Sequence, residues 1–327
     1  MELLVIGDEE RFYKHRPDPA IADKVTCVVV PRGTANEKIA AALPDAEFLL
    51  VDPICPVSRE LVEVLPRLRV IHSEGVAYNL IDLAAARSKG IVVCNCKGVN
   101  AGAVAEHAVL LMLSCLRDVV NGDQAVREGR QIQTKEHYML KGFKELGDCK
   151  IGFIGAGDSG QATMTRLKSW NSEMAYFKRT PLSAEQESQL GARFEPLDSL
   201  LATSDIISLH VPVTGETANM VDAVFLGKMK QGSILINTAR GEIVDSQALG
   251  DALVCGHLAA AGLDTLYPEP VTLDNILLNL PEEAARRIVF SPHMGGITEG
   301  TFGRVNQTVW ENIARFLAGE PLMNRVF

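Results

Sequence analysis

Three observations predict a chain of two doubly wound α/β domains. Short apolar runs alternate with helical patterns in two successive blocks, the signature of parallel sheets covered on both faces. A glycine-rich turn, "GAGDSG" at positions 155–160, opens the second block directly after an apolar strand pattern. The length of 327 residues accommodates two domains at about 100–200 residues each.

In the first block, "ELLVIG", "KVTCVVV", "AEFLLVD", "RLRVIHSEG" and "GIVVCN" read as strands, with "ANEKIAAAL" and "SRELVEVL" as helices between them. The stretch "NAGAVAEHAVLLMLSCLRDVV" from Asn100 is apolar on nearly every face. That pattern belongs to a deeply buried helix, crossing between domains or packing on a second subunit. "CKIGFIG" starts the second alternation, with strands near 151–154, 174–177, 205–209, 233–237, 260–263 and 288–290. The last helix places Phe302, Val305, Val309, Ile313 and Phe316 on one face and ends at Gly319 and Pro321. This helix is expected to return to the first domain. The boundaries expected are therefore 1–100 with 296–327 for one domain and 101–295 for the other.

Composition narrows the function classes. Apolar residues make up 47% and charged ones 22% of the chain, as in soluble globular proteins. A net charge of −9 argues against a nucleic-acid groove, which wants a basic surface. "ELLVI" is too short for a signal peptide, and no run reaches the roughly 20 apolar residues of a membrane span. A cytoplasmic protein without a membrane or nucleic-acid partner is expected. The seven cysteines are odd in number and read as reduced thiols. Cys94 and Cys96 alternate on a strand without a second ligand pair, a poor zinc site, so no metal is expected. Among the histidines, His15 lies in a charged stretch, His137 and His257 read as surface positions and His107 as structural.

The glycine turn sits between a strand, "KIGFI", and a helix, "SGQATMTRLKSW", the context a dinucleotide pyrophosphate needs. Gly155 permits the tight turn, Gly157 the close approach of backbone to phosphate, and Gly160 close helix packing. The first helical N–H groups then face the phosphates. Asp158 has two readings: an N-cap of the helix, or a charge that repels phosphate. The cap is favoured, because a carboxylate is stabilised at a helix N-terminus.

Four stretches carry a resemblance that spans nearly the whole chain: "GFIGAGDSG", "SDIISLHVPVTGET" from Ser204, "MKQGSILINTARGEIVD" from Met229, and "GLDTLYPEP" from Gly262 with "SPHMGGIT" from Ser291. "HSEGVAYNLIDLAAARSKGIVVCN" and "NAGAVAEHAVLLML" add to it. The chain resembles the D-isomer-specific 2-hydroxyacid dehydrogenases, which include phosphoglycerate dehydrogenases and glyoxylate/hydroxypyruvate reductases. The resemblance implies two Rossmann-like lobes, a flavodoxin-like substrate domain and an NAD(P)-binding domain, with the active site in the cleft, and a homodimer.

Reduction of a 2-keto acid needs a carboxylate anchor, a proton donor and a hydride donor held against the carbon. Arg240 supplies the anchor, since a guanidinium meets a carboxylate with two parallel hydrogen bonds. His293 supplies the proton; imidazole exchanges protons near neutrality. Glu269 pairs with His293 and fixes its ring. Formate dehydrogenases of the same family carry glutamine in that role, which argues against formate oxidation. The resemblance further implies that Asp264 receives the nicotinamide carboxamide and that His210 lines the cofactor site, with Ser159, Pro212, Thr217, Thr238, Ala239 and Gly295 beside it. The substrate loop is "SEGVA", Ser73 to Ala77, with Glu74, Gly75 and Val76 offering backbone N–H groups to the substrate carboxylate beside Arg240 and His293. The family usually has glycine where this chain has Ala77, and Asp-Asn where it has Asn79 and Leu80, which leaves the substrate open.

The ribose-recognition position follows the second strand of the nucleotide domain. There an acid selects NAD(H) by hydrogen-bonding the 2′-hydroxyl. Here Lys178, Arg179 and Thr180 stand instead, which suits the 2′-phosphate of NADP(H). NADP(H) is expected as the preferred cofactor, with NAD(H) as the alternative. The expected activity is a 2-keto acid reductase for glyoxylate, hydroxypyruvate or a similar small acid. A phosphoglycerate dehydrogenase and an NAD(H)-sensing corepressor of the same fold stay open, because the catalytic set does not separate them.

Overall fold

A computed structural model describes residues 1–14 and 19–327; His15 lies outside the described residues. The chain divides into two compact units, Met1–Asn100 with Ile297–Phe327, and Ala101–Gly296.

The first unit holds five parallel strands: β1 (Glu2–Ile6), β2 (Thr26–Val30), β3 (Phe48–Val51), β4 (Val70–Ser73) and β5 (Val92–Cys94). Their order is β2-β1-β3-β4-β5. Continuous apolar runs form the central strands because helices cover both faces; all four residues of β3 are buried. On one face, the helix Glu299–Ala318 lays Val305, Val309, Trp310 and Ile313 against Leu3, Phe12 and Phe48. Each such side chain, fully buried, contributes about 1.5–3 kcal/mol. Thr298 caps the start of that helix by accepting from Thr301 N–H at 3.1 Å. Gly319 ends it in the left-handed region at φ 70°, where glycine carries no steric penalty.

The second unit holds β6 (Lys150–Ile154), β7 (Glu173–Phe177), β8 (Ala192–Phe194), β9 (Ile206–Leu209), β10 (Ser233–Asn237), β11 (Leu258–Leu263) and β12 (Ile288–Phe290). They form one parallel sheet in the order β12-β11-β10-β9-β6-β7-β8. The edge strand β8 was not expected. Three residues with one of them exposed give no readable alternation; pairing with β7 makes it a strand.

The helix Ala101–Arg117 buries Val104, His107, Ala108, Leu111 and Met112. Its apolar character does not extend to burial on every face, since Leu110 is 53% exposed. Further apolar side chains stand exposed on the two helices that follow, Val119–Arg127 and Gln131–Lys141, among them Val126, Met139 and Leu140. Among the described residues, no helix is long and apolar enough to cross a membrane, and no group of three metal-ligating side chains converges. His257 is not a free surface residue: its Nε2–H donates to the carbonyls of Leu226 (2.9 Å) and Met229 (3.0 Å).

Two buried histidines make stability depend on pH. His72 donates from Nδ1 to the Ser73 carbonyl at 2.8 Å, and its Nε2 accepts from Asn312 at 2.9 Å. His210 lies between Ser159 and Ser208. Burial pulls each imidazole down to about 4 from its ordinary 6.5. The unfolded chain therefore takes up these protons first. Stability is complete above about 6.5 and declines as pH falls towards about 4, by up to about 3 kcal/mol per histidine. Calorimetric melting at pH 7.0 and 4.5 is expected to show this decline as a lower Tm, and a constant Tm would contradict it.

Candidate active site

The order of the seven-stranded sheet reverses between β6 and β9, and ligands bind at such a switch point beyond the strand C-termini. The glycine turn lies there. Gly155 has φ 98°, and a Cβ at this position would strike the His210 carbonyl. A Cβ on Gly160 would fall 2.6 Å from the Gly155 carbonyl oxygen, whereas Gly157 faces open space. The turn is thus tight at its flanks and bare at its centre. The helix Asp158–Leu167 starts here and leaves first-turn N–H groups without helical partners. Asp158 is not the N-cap. Gly157 holds the cap position with extended backbone, and no side chain caps the helix. The Asp158 carboxylate instead occupies the exposed first helical position, where the helix dipole still favours it. Ser159 Oγ contacts His210 Nδ1 at 3.2 Å, tying the helix start to the end of β9.

Lys178, Arg179 and Thr180 follow β7, with Arg179 and Thr180 exposed. Arg179 Nη1 donates to Glu216 at 3.2 Å, so this cation is held by the loop after β9. In that loop Thr217 Oγ1 donates to the Pro212 carbonyl at 2.6 Å and accepts from Thr214 N–H at 2.8 Å. Both residues brace the loop.

Beyond β10, Asn237 organises the turn that presents Arg240. Its side chain donates to the Arg240 carbonyl at 2.9 Å and accepts from Ala239 N–H at 3.0 Å. Arg240 Nη1 donates to the Ala239 carbonyl at 2.7 Å, and the rest of the guanidinium has no partner among the described residues. Gly241 lets this turn lie against the Leu266–Tyr267 backbone, where any Cβ would collide. Asn237 and Gly241 were not singled out in advance, although both stand inside "NTARGEIVD". Thr238 Oγ1 is buried without a hydrogen-bond partner among the described residues.

Glu269 and His293 meet directly: His293 Nδ1 lies 2.7 and 2.9 Å from the two carboxylate oxygens. A carboxylate only accepts, so Nδ1 carries the hydrogen. Nε2 faces away and has no partner among the described residues. His293 has φ 54°, a left-handed conformation that is unusual for histidine. Asp264 holds it there. The Asp264 carbonyl accepts from His293 N–H at 2.9 Å, and its carboxylate accepts from Met294 N–H and Gly295 N–H, each at 2.9 Å. Ser291 and His107 complete the set. Burial pushes the Asp264 carboxyl up, but the hydrogen bonds outweigh it and hold it at about 2.

Glu74, Gly75 and Val76 belong to the other unit. The Glu74 N–H is spent on the Val51 carbonyl at 2.7 Å, so it does not face a substrate. The Glu74 side chain is buried against Arg11 (2.5 Å). The reason is backbone continuity: Glu74 extends the ladder between β3 and β4 by one residue. The N–H groups of Gly75, Val76 and Ala77 find no acceptor among the described residues, and these remain available to an anion.

The second unit fits a dinucleotide. Its turn is bare above Gly157, its flanks admit no side chain, and Thr238, directly after β10, offers an orphaned hydroxyl. A family profile described as D-isomer specific 2-hydroxyacid dehydrogenase, NAD binding domain, matches residues 109–295. The chain belongs to the D-isomer specific 2-hydroxyacid dehydrogenase family. Within this family it is 36% identical over 278 residues to a glyoxylate reductase from Korarchaeum cryptofilum, covering 85% of this chain and 81% of that one. It is 35% identical over 288 residues to a D-3-phosphoglycerate dehydrogenase from Mycobacterium bovis, covering 88% of this chain and 52% of that one. The chain thus spans about half the length of the phosphoglycerate dehydrogenases it matches. A crystal structure of a Thermus thermophilus protein superposes with a TM-score of 0.84 at 30% identity and covers all of both chains. This family membership agrees with the doubly wound sheets and with a Rossmann-like nucleotide domain.

Proposed function

We propose that this 2-hydroxyacid dehydrogenase family member reduces a small 2-keto acid, such as glyoxylate or hydroxypyruvate, and oxidises the matching D-2-hydroxy acid in reverse. The observation that carries this reading is the Glu269–His293 pair, with Nδ1 engaged and Nε2 open. When bound, the nicotinamide dinucleotide supplies or accepts the hydride at the substrate C2. The Arg240 guanidinium binds the substrate carboxylate and orients the keto group. His293 passes a proton from Nε2 to the keto oxygen as C2 is reduced, and takes it back in the reverse direction. Glu269 stabilises the imidazolium that carries this proton. The bare turn at Gly155, Gly157 and Gly160 would hold the pyrophosphate, and Asp264 and Gly295 would stand at the nicotinamide end. In the other unit, the N–H groups of Gly75, Val76 and Ala77, without acceptors among the described residues, suit an anion.

Steady-state assays with glyoxylate, hydroxypyruvate and a branched keto acid, each with NADH and NADPH, test the reading. Turnover with at least one acid is expected. Dinucleotide binding without any turnover would favour a sensor of corepressor type.

NADP(H) is the preferred cofactor in this reading, supported by two cations and a hydroxyl at the ribose position. Arg179→Ala is expected to weaken NADPH binding about tenfold or more, by loss of a charge-assisted bond, and NADH binding much less. Fluorescence titration of both reduced dinucleotides measures this, and equal weakening would refute the phosphate reading. The exposed apolar side chains between Leu110 and Leu140 support a homodimer, since large exposed apolar patches mark interaction surfaces. The buried thiols Cys55, Cys94, Cys96 and Cys149 suit a reducing, cytoplasmic setting.

A further inference from the structure

The turn that carries His293 is anchored from a residue 186 positions earlier in the chain. His107 lies on the helix Ala101–Arg117 with its side chain 8% exposed. Its Nε2 is 2.7 Å from Ser291 Oγ and 3.2 Å from Asp264 Oδ1. Ser291 Oγ in turn lies 2.5 Å from Asp264 Oδ1. The ionised carboxylate can only accept, so the single hydroxyl hydrogen of Ser291 points to Asp264. The oxygen of Ser291 must then accept from His107, which places a hydrogen on Nε2. The chain runs in one direction, from imidazole to hydroxyl to carboxylate. This polarity excludes a nucleophilic serine, whose hydrogen would point to the imidazole.

The same carboxylate accepts from Met294 and Gly295, the two residues after His293. The Asp264 carbonyl accepts from His293 itself. Gly295 is pressed so closely on this cluster that a Cβ would fall 2.9 Å from Asp264 Oδ2 and 3.3 Å from His107 Cδ2. His293 is thereby kept in a left-handed backbone conformation that it would not hold alone.

We infer that His107 is a positioning residue, which acts through Ser291 and Asp264 to keep His293 in register for proton transfer. The inference rests on the reading of His293 as the proton donor. It explains why a polar ring sits on the buried face of an otherwise apolar helix, where a leucine would pack more simply. Aligned hydrogen-bonded supports of this kind raise the effectiveness of a site by restricting the group they hold.

The imidazole has two nitrogens, and amide side chains can mimic them separately. Glutamine places its amide near the Nε2 position and asparagine near Nδ1. His107→Gln is expected to keep kcat within about threefold of the parent, whereas His107→Asn and His107→Leu are expected to lower it about tenfold to a hundredfold, as for loss of a supporting hydrogen bond. Melting temperatures of the three variants separate this from packing. Loss of kcat in the asparagine variant at a Tm equal to that of the glutamine variant supports positioning. Parent-like kcat in all three, or equal loss in all three, overturns it. If the variants do not fold, nitrogen NMR of the unaltered protein decides: a hydrogen on His107 Nε2 is required, and the opposite tautomer overturns the inference. That readout needs neither turnover nor dinucleotide. Full activity of His293→Ala would instead remove the reading beneath it while leaving the tautomer result standing.

Discussion

His293→Ala is expected to lower kcat about a thousandfold, within the 10²–10⁴ range typical of a positioned general acid or base. Dinucleotide affinity should change by less than about threefold, because this side chain bonds Glu269 and no residue of the glycine turn. The size of the effect follows from the geometry. Glu269 occupies Nδ1 with both oxygens, so Nε2 is the one ring position from which a proton can pass outward. Alanine leaves water as the proton source, without orientation by Glu269. The backbone cost is small by comparison, since the turn is held by Asp264 through main-chain N–H groups that alanine retains. Stopped-flow reduction of the best keto acid, together with dinucleotide titration, separates the two quantities. A loss below about tenfold would assign proton transfer to another group.

The second large effect concerns stability. Gly155→Ala is expected to lower Tm by roughly 6–12 °C, from a cost of about 3 kcal/mol at about 2–4 °C per kcal/mol for a unit of this size. Two causes add. The φ of 98° lies where side-chain-bearing residues are strained, and the new Cβ would enter the His210 carbonyl. Gly157→Ala, two residues along the same turn, is the matched control. Gly157 has φ −84° and open space around its Cβ position, so its Tm should stay within about 2 °C of the parent. That variant should nevertheless bind dinucleotide more weakly, because the added methyl occupies the place of the phosphates. A Gly155→Ala protein that melts with the parent would show that the turn relaxes without penalty.

Much of the architecture was legible locally. Central strands such as Phe48–Val51 and Ser233–Asn237 are buried along their whole length, and continuous apolar runs announce that state. The glycine turn was legible because its three glycines answer to three separate steric needs. The edge strand Ala192–Phe194 was not, because pairing with a neighbour rather than its own pattern makes it a strand. The cap at Gly157 was misread for a related reason. Aspartate is the commoner capping residue, but the φ/ψ of the bare turn places the boundary one residue earlier. The roles of Glu74 and His107 depended on contacts with Arg11 and Ser291, 63 and 184 residues away. No periodicity reports contacts at that separation.

The strong anchoring of Asp264 has a practical consequence for kinetics. Its carboxyl is held at about 2, and the buried imidazoles His72 and His210 at about 4. None of these groups changes charge between about pH 5 and 8, the interval in which rate profiles are measured. Curvature of log kcat in that interval therefore does not arise from any of these three groups.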